Sequence, residues 1–485
     1  MRHDVSEQYD VVVVGGGPAG IAAASRSGEL GARTALVTRD RVGGMAAHDG
    51  PVPVRTLAYA ARLARQAGQF GDYGIIIGRP RVDYPALVDR VAAVVEEYDA
   101  LAGRVDYLRR HGVDVFEEAG TSGFTDAHTI ACAAGGVFSS YRIILCAGGR
   151  PKRLPIPGIE LTSTHTDAWA LAELPTSMVV VGSGATGAQV ASIFNALGTQ
   201  VTMLEVGPRI VPTEDEEVSV AVRQAFEENG MRVVEGIEGI TGFARAGSGV
   251  AVAFRHRGVD REVIVDVAVM AVGWDAAADE LRLDVAGVAT DRRGFVAVDE
   301  YLRTSAEHVF AAGDITGRWM LVPTAYRAGY YAASNAVDGP RHPMANELIP
   351  FGSFTDPEYA QIGLTESAAR TDHDVVVSRI DFRDFSRSII DGHKGGFCKL
   401  IADRTTRHIL GCHVVGERAV DIVQVVTAGM AAGVTVDRLA DLPLSFPTYG
   451  AVVGWAAYDI VKQLGLDRDR PYWMAGQISP GQLRT

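Results

Sequence analysis

The chain is poor in cysteine, with four in 485 residues: Cys132, Cys146, Cys398 and Cys412. They lie far apart, with no Cys-x-x-Cys and no metal-ligand spacing, which excludes a zinc module or a disulfide framework. Cys146, Cys398 and Cys412 sit in apolar, strand-like runs and read as buried, inert thiols. Positive charge is also short. Lys and Arg total 46 against 59 Asp and Glu, a net charge of −13. A general nucleic-acid binder needs clustered cations, so that class is set aside. No apolar run reaches the ~18–20 residues of a membrane helix without a glycine or a charge. The opening "MRHDVSEQYD" lacks the apolar core of a signal peptide, so a cytoplasmic protein is expected. Glycine is abundant, with 55 residues, and suits phosphate loops and tight βα turns. The length predicts about two to four domains.

What is present is a weak internal duplication. "YDVVVVGGGPAGIAAASRSGELGARTALV" (Tyr9–Val37) resembles "SMVVVGSGATGAQVASIFNALGTQVTMLE" (Ser177–Glu205). Each reads as an apolar strand, a glycine turn, a small-residue helix and a second strand, which is the βαβ unit of a dinucleotide fold. The runs "VVVV" and "MVVV" suit parallel strands buried on both faces.

The first loop is Gly15-x-Gly17-x-x-Gly20 and the second Gly182-x-Gly184-x-x-Gly187. In each, one glycine permits the tight turn, the next admits a pyrophosphate, and the third lets helix and strand pack closely. The helix N-terminus then offers free N–H groups to the phosphates. The second unit ends in Glu205, a carboxylate able to accept from an adenosine ribose diol. That favours NADH over NADPH, since a 2′-phosphate would be repelled and Val206 and Gly207 supply no arginine. In the first unit the matching residue is Thr38, which offers a hydroxyl in place of an acid; Asp40 is a nearby substitute.

Between the duplicated units, Tyr84–His111 reads as amphipathic helix, followed by strands in "VDVFEEAG" and "RIILCAGGRPKRLPIPG". Beyond the second unit, "LRTSAEHVFAAGDITG" reads as strand plus loop, and Thr324–Ala336 as helix. From Phe351 the pattern becomes antiparallel strands ("GGFCKLIA", "HILGCHVVG") with helices such as Ala419–Ala432, a third, α+β domain.

"CAGGRP", "VFAAGDITG" and "FTDPEYAQIGLTE", together with the two loops and in this order, resemble the class I flavoprotein pyridine nucleotide-disulfide oxidoreductases, such as dihydrolipoamide dehydrogenase and mercuric reductase. The resemblance runs from about Tyr9 to Leu466. It implies an α/β fold with two Rossmann-like dinucleotide domains and a C-terminal α+β dimerisation domain, assembled as a homodimer. The boundaries expected are 1–157 with 276–340 for FAD, 158–275 for NAD(P), 345–466 for dimerisation and 467–485 for a tail. It further implies FAD over Gly15, Gly17, Gly20, Thr38, Gly43, Gly44 and Gly148. Asp314 would take the ribityl chain, and a helix opening at Thr324 and Ala325 would face the flavin pyrimidine, its dipole favouring the anionic reduced ring. NAD(P)H falls to Gly182, Gly184, Gly187, Glu205 and Gly273.

The departures are as specific as the matches. The family's redox motif, Gly-Gly-Thr-Cys-x4-Cys-x-Pro-Ser-Lys, falls without a gap on "GGMAAHDGPVPVR". Ala46 and Pro51 stand where the cysteines should be, so no thiolate relay can run there. The family's His-Pro-Thr-x-x-Glu falls on Phe446 to Ala451, replacing the acid/base His with Phe446 and its Glu with Ala451. The Lys–Glu pair beside flavin N5 becomes Arg55 and Gln189, keeping the cation and losing the anion. Arg55 would stabilise reduced flavin. The emptied chamber would be lined by Met45, Ala46, Ala47, His48 and Pro51, with Phe446 and Tyr449 from the partner, an apolar pocket for a flat organic molecule. His48 and Tyr449 are the candidate proton donors there, with a solvent-facing or phosphate-adjacent histidine and an interface aromatic as the plainer readings.

Three classes follow. The first is an NAD(P)H-dependent FAD oxidoreductase passing hydride through flavin N5 directly to a quinone or another aromatic or conjugated acceptor. The second is a flavin-dependent tailoring enzyme of specialised metabolism or a soluble transhydrogenase, the latter opposed by Glu205. The third is a non-catalytic flavin-bearing dimer.

Overall fold

The computed structural model describes residues 7–78, 80–344 and 348–466. The 467–485 tail falls outside the described residues. The chain divides into two compact units: residues 1–57, 83–152 and 273–346, and residues 58–82, 153–272 and 347–485. The units break at 152/153 and 272/273, where the sequence places boundaries at 157/158 and 275/276. The nucleotide-binding insert and the C-terminal domain, however, cluster together as one unit, joined by residues 58–82.

In the first unit, strands β1 (Glu7–Val14), β2 (Thr34–Val37), β3 (Val113–Phe116), β4 (Ser122–Asp126), β5 (Thr129–Cys132) and β6 (Val137–Leu145) form a sheet in the order β3-β2-β1-β6-β5-β4. The strand Val309–Ala311 pairs with β6. The β3-β2-β1-β6 core is parallel. Val12 and Val14 enter one apolar core, and Val11 and Val13 another on the opposite face. This is why the run is unbroken: a strand covered on both faces has no polar side. Full burial of each such side chain contributes about 1.5–3 kcal/mol.

Helix α1 (Pro18–Glu29) follows the first glycine loop. Helices α2 (Gly44–His48) and α3 (Pro51–Ala67) hold the segment on which the family's redox motif is expected to fall. The single amphipathic helix expected over Tyr84–His111 is broken into α4 (Tyr84–Ala102) and α5 (Arg104–Arg110) by Gly103, whose φ is +49°. A left-handed residue ends a helix, and glycine adopts that conformation at least cost.

In the second unit, β7 (Ser177–Val181), β8 (Gln200–Leu204), β9 (Arg232–Val234) and β13 (Val267–Met270) make a parallel sheet ordered β9-β8-β7-β13. Strands β10 (Gly239–Ala246), β11 (Gly249–His256) and β12 (Val259–Val265) form a separate antiparallel sheet. Helix α6 (Ala185–Leu197) follows the second glycine loop, and α7 (Glu216–Glu228) follows β8. The C-terminal part carries β14 (Phe351–Ser353), β15 (Tyr359–Gly363), β16 (Val375–Asp381), β17 (Phe397–Asp403) and β18 (Ile409–Val415), antiparallel in the order β14-β15-β18-β17-β16. Helices α8 (Ala419–Ala431) and α9 (Val452–Gln463) supply residues of the apolar core that this sheet shares. All four cysteines are free and buried, Cys132 included.

Candidate functional site

The duplication is geometric as well as sequential. A Cβ on Gly15 (φ +110°) would overlap Cys146 O, and one on Gly182 (φ +94°) would overlap Ala271 O. A Cβ on Gly20 would fall inside Gly15 O, and one on Gly187 inside Gly182 O. Gly17 and Gly184 have open space and N-cap helices α1 and α6. In both loops, therefore, two glycines let the backbone close on itself and one leaves room for a ligand. Thr38 is buried, and its Oγ1 lies against the first loop, 2.8 Å from where a Gly16 Cβ would stand. Gly43 (φ +128°) and Gly44 (φ +56°) continue that wall, and a Cβ on Gly44 would come within 2.8 Å of Gly17 Cα.

Asp314 sits beside Gly149, and no described residue donates a hydrogen bond to its carboxylate. Burial pushes its pKa up to about 6. A half-buried acceptor without a donor suits a polyol such as a ribityl chain. The helix next to it starts at Val322, two residues earlier than read from the sequence, and runs to Asp338. Pro323 is tolerated in the first turn, where no N–H is required. Thr324 Oγ1 donates back to Trp319 O and Leu321 O at 2.6 and 2.7 Å, and Ala325 N–H closes the first helical bond, to Leu321 O at 2.9 Å. Gly148 (φ +79°) and Gly273 (φ +112°) both have open space where a side chain would stand. The glycine cradle and the unsatisfied Asp314 carboxylate fit FAD in the first unit.

In the second unit, Glu205 is buried at the end of the β8 strand. Its Oε2 accepts from Ser183 N–H at 2.9 Å and Ser183 Oγ–H at 2.6 Å; its Oε1 accepts from Gly207 N–H at 2.7 Å. Ser183 was not among the sequence candidates, although its place inside the glycine loop, facing the end of the neighbouring strand, was the available signal. Arg209 donates to Pro212 O and Glu214 O, both at 3.1 Å, so its guanidinium is engaged locally.

The candidate catalytic residues divide between the two units: Arg55 and His48 in the first, Gln189 and Tyr449 in the second. Arg55 is exposed on α3, and Gln189 Nε2 donates to Ala185 O at 3.2 Å within α6. His48 Nε2–H donates to Asp99 Oδ2 at 2.8 Å; Asp99 also takes Arg104 at 2.7 Å and Arg41 at 2.9 Å. Burial raises the Asp99 pKa, but the hydrogen bonds from His48 and Arg104 outweigh it and hold this carboxyl below its usual range. His48 is thus oriented by a carboxylate 51 residues away. Phe446 is exposed, whereas Tyr449 is only 8% exposed. The Tyr449 ring packs 5.9 Å from Phe382, with the Arg387 guanidinium 5.9 Å from its centre. Burial, reinforced by the Asp391 and Glu417 carboxylates, pushes its phenol well up. That placement suits packing better than proton donation.

Comparison with known proteins bears on the same features. A family profile described as "Pyridine nucleotide-disulphide oxidoreductase" matches residues 9–329, and its dimerisation domain matches residues 349–457. The chain belongs to this family. It is 30% identical over 476 residues to a dihydrolipoyl dehydrogenase of Rhizobium etli, covering 94% of this chain and 98% of the relative. It is 32% identical over 457 residues to one from Halobacterium salinarum, covering 92% and 94%. The solved structure of the HOCl-induced flavoprotein disulfide reductase RclA from Escherichia coli superposes with a TM-score of 0.83 at 23% identity, covering 93% of this chain and 99% of that one. The α/β fold with two dinucleotide-binding regions and a dimerisation domain follows, as do FAD and pyridine-nucleotide binding and membership of the flavoprotein oxidoreductases. Among the described residues, no helix is long and apolar enough to cross a membrane.

Proposed function

We propose that this homodimeric oxidoreductase takes hydride from NADH and delivers it to a non-disulfide acceptor, a quinone or another conjugated small molecule, with no sulfur relay. The observation that carries the reading is the chemistry at positions 46 and 51. Ala46 and Pro51 stand where the family's motif has its cysteines, and the four cysteines of the chain are elsewhere, buried and free. Phe446 and Ala451 at the positions of the acid/base pair agree with it. The relatives' names specify dihydrolipoyl substrate, and it is the residues needed for sulfur exchange that differ here.

FAD, when bound, supplies the hydride relay between nicotinamide and acceptor. Gly15, Gly17 and Gly20 would hold its pyrophosphate, and Asp314 would accept from the ribityl hydroxyls. The N-terminus of the Val322–Asp338 helix would stabilise negative charge on the pyrimidine, as would Arg55 near N5. Met45, Ala46 and Pro51 would offer apolar contact to a flat acceptor, while Ala47, expected in the same lining, is buried; Asp99 would keep the His48 ring in one orientation. Gly182, Gly184, Gly187 and Gly273 would receive the nicotinamide dinucleotide. Glu205 favours NADH, which disfavours the transhydrogenase alternative.

The test is anaerobic. Flavin in the purified protein is mixed with NADH, and the reduced protein is then offered quinones, lipoamide and NADP⁺ in turn. Bleaching by NADH and fast reoxidation by quinone are expected, with no thiolate-to-flavin charge-transfer band. Failure of both NADH and NADPH to bleach the flavin overturns the proposal. Sustained lipoamide turnover overturns the sulfur-free reading.

A further inference from the structure

The second unit holds a cavity of about 440 Å³ whose lining residues do not include the Gly182–Gly187 loop. Its cationic wall comes from three elements: Arg223 on α7, Arg232 on β9, and His256, Arg257 and Arg261 on the β11–β12 hairpin. The hairpin turn is Arg257 (φ +54°) and Gly258 (φ +74°), two left-handed residues that tighten it. Arg261 is the cross-strand partner of Phe254, so the two belong to one face of the hairpin. Phe254, Val233, Val234 and Pro208 supply apolar lining.

The charges in this cavity do not balance. Glu235 is the one acidic residue lining it, and both its oxygens are committed: Oε1 accepts from Ile210 N–H at 2.8 Å, and Oε2 pairs with Arg223 at 3.3 Å. Arg223 also pairs with Glu227 at 3.1 Å. No described residue gives the guanidinium of Arg232, Arg257 or Arg261 a hydrogen bond or an ion pair. In a chain of net charge −13, three exposed arginines without a protein partner among the described residues line one concavity and make it locally cationic. Concave walls of one sign focus the field, and guanidinium forks match phosphate oxygens.

We propose that this cavity binds a compact polyanion carrying two or more phosphate groups, at a site separate from the nicotinamide dinucleotide. The backbone couples the two sites. Gly236 N–H donates to Gly207 O at 2.9 Å, and Gly207 N–H in turn donates to Glu205. The inference does not depend on the identity of the hydride acceptor.

The probe is inorganic tripolyphosphate, titrated calorimetrically into the FAD-bound protein with NAD⁺ at saturation, so that the Gly182–Gly187 loop is filled. One equivalent per chain is expected. The variant carrying Arg232→Ala, Arg257→Ala and Arg261→Ala should bind at least about 10-fold more weakly, each lost charge-assisted contact being sufficient for that. Its KM for NADH should stay within about twofold of the parent, and monophosphate should bind about 10-fold more weakly than tripolyphosphate. Equal affinity in parent and variant, or no heat at millimolar tripolyphosphate, overturns the proposal. A KM for NADH that rises in step with the lost binding makes the cavity part of the dinucleotide site and overturns it too. Monophosphate binding as tight as tripolyphosphate overturns the polyphosphate class. ADP and tripolyphosphate compared on the parent then distinguish a nucleotide from a free polyphosphate as the source of the groups.

Discussion

Replacing Glu205 by Gln tests how this chain selects its nicotinamide donor. A carboxylate offers about four lone-pair sites. Three are taken inside the protein, two on Oε2 by Ser183 N–H and Oγ–H and one on Oε1 by Gly207 N–H. One acceptor site on Oε1 is left for a ribose hydroxyl. A single charge-assisted hydrogen bond is worth about 1.5–3 kcal/mol, so its loss corresponds to about a 10- to 140-fold weaker NADH interaction. Binding of this remote ribose is the same in ground and transition states, so the effect falls on KM and leaves kcat nearly unchanged. Gln also lacks acceptors for all three internal donors. One buried N–H left unpaired costs about 1–3 kcal/mol, so thermal unfolding should be followed alongside. The assay is steady-state quinone reduction with NADH and NADPH. The expected result is a raised KM for NADH, kept kcat, and a narrower gap between the two donors, because the repulsion of a 2′-phosphate is relieved. An NADH KM within twofold of the parent, or a parent enzyme that prefers NADPH, refutes the reasoning.

Three further outcomes follow from the same geometry. Gly20→Ala places a Cβ inside Gly15 O, so the variant should purify without bound FAD, as read from its 450 nm absorbance. Asp314 has a pKa raised from 3.8 to about 6 by burial. In the FAD-free fold its ionisation is disfavoured, and a hydroxyl donating to it on binding releases the proton. FAD affinity should therefore rise with pH between about 4 and 6, by up to about 100-fold, and level off above; Asp314→Asn should flatten the profile in a flavin-fluorescence titration. Lys399 is 3% exposed and ion-paired to Asp215 at 3.0 Å, Glu217 at 2.7 Å and Glu366 at 2.6 Å. Lys399→Met leaves Asp215 without a cation, while Glu217 keeps Arg379 and Glu366 keeps Arg370, so unfolding free energy should fall by about 3–5 kcal/mol, and Tm by roughly 3–5 °C in a calorimetric scan.

The sequence carries the parts of the site that rest on close backbone approach. Gly15, Gly20, Gly182 and Gly187 are forced by neighbouring carbonyls, and such a requirement permits no other residue. Contacts between distant segments are not legible. Nothing local to His48 announces Asp99, and Lys399 meets partners more than 180 residues away on α7. The sequence marks Glu205 as a carboxylate able to accept from a ribose diol, but its hydrogen bonds from Ser183 leave no periodic trace. The start of the Val322–Asp338 helix was misplaced for a related reason. Thr324 resembles an N-cap in sequence, yet its hydroxyl donates backwards to carbonyls while Pro323 opens the helix.

On the proposed sulfur-free reading, the segment from Gly44 to Ala67 would keep the family frame through its backbone. A disulfide between positions 46 and 51 would clamp the junction of α2 and α3. Here backbone hydrogen bonds hold the junction: Asp49 N–H and Gly50 N–H both donate to Met45 O, at 3.0 and 2.6 Å, and Val54 N–H donates to Gly50 O at 3.0 Å. Pro51 stands at the first position of α3, where its missing N–H costs nothing and its fixed φ matches the helix. By restricting the unfolded chain, a compatible proline stabilises by about 0.4–1 kcal/mol. Pro51 therefore keeps the turn between α2 and α3 with a residue suited to open a helix, and the proposed sulfur-free transfer would use that turn as part of its apolar wall.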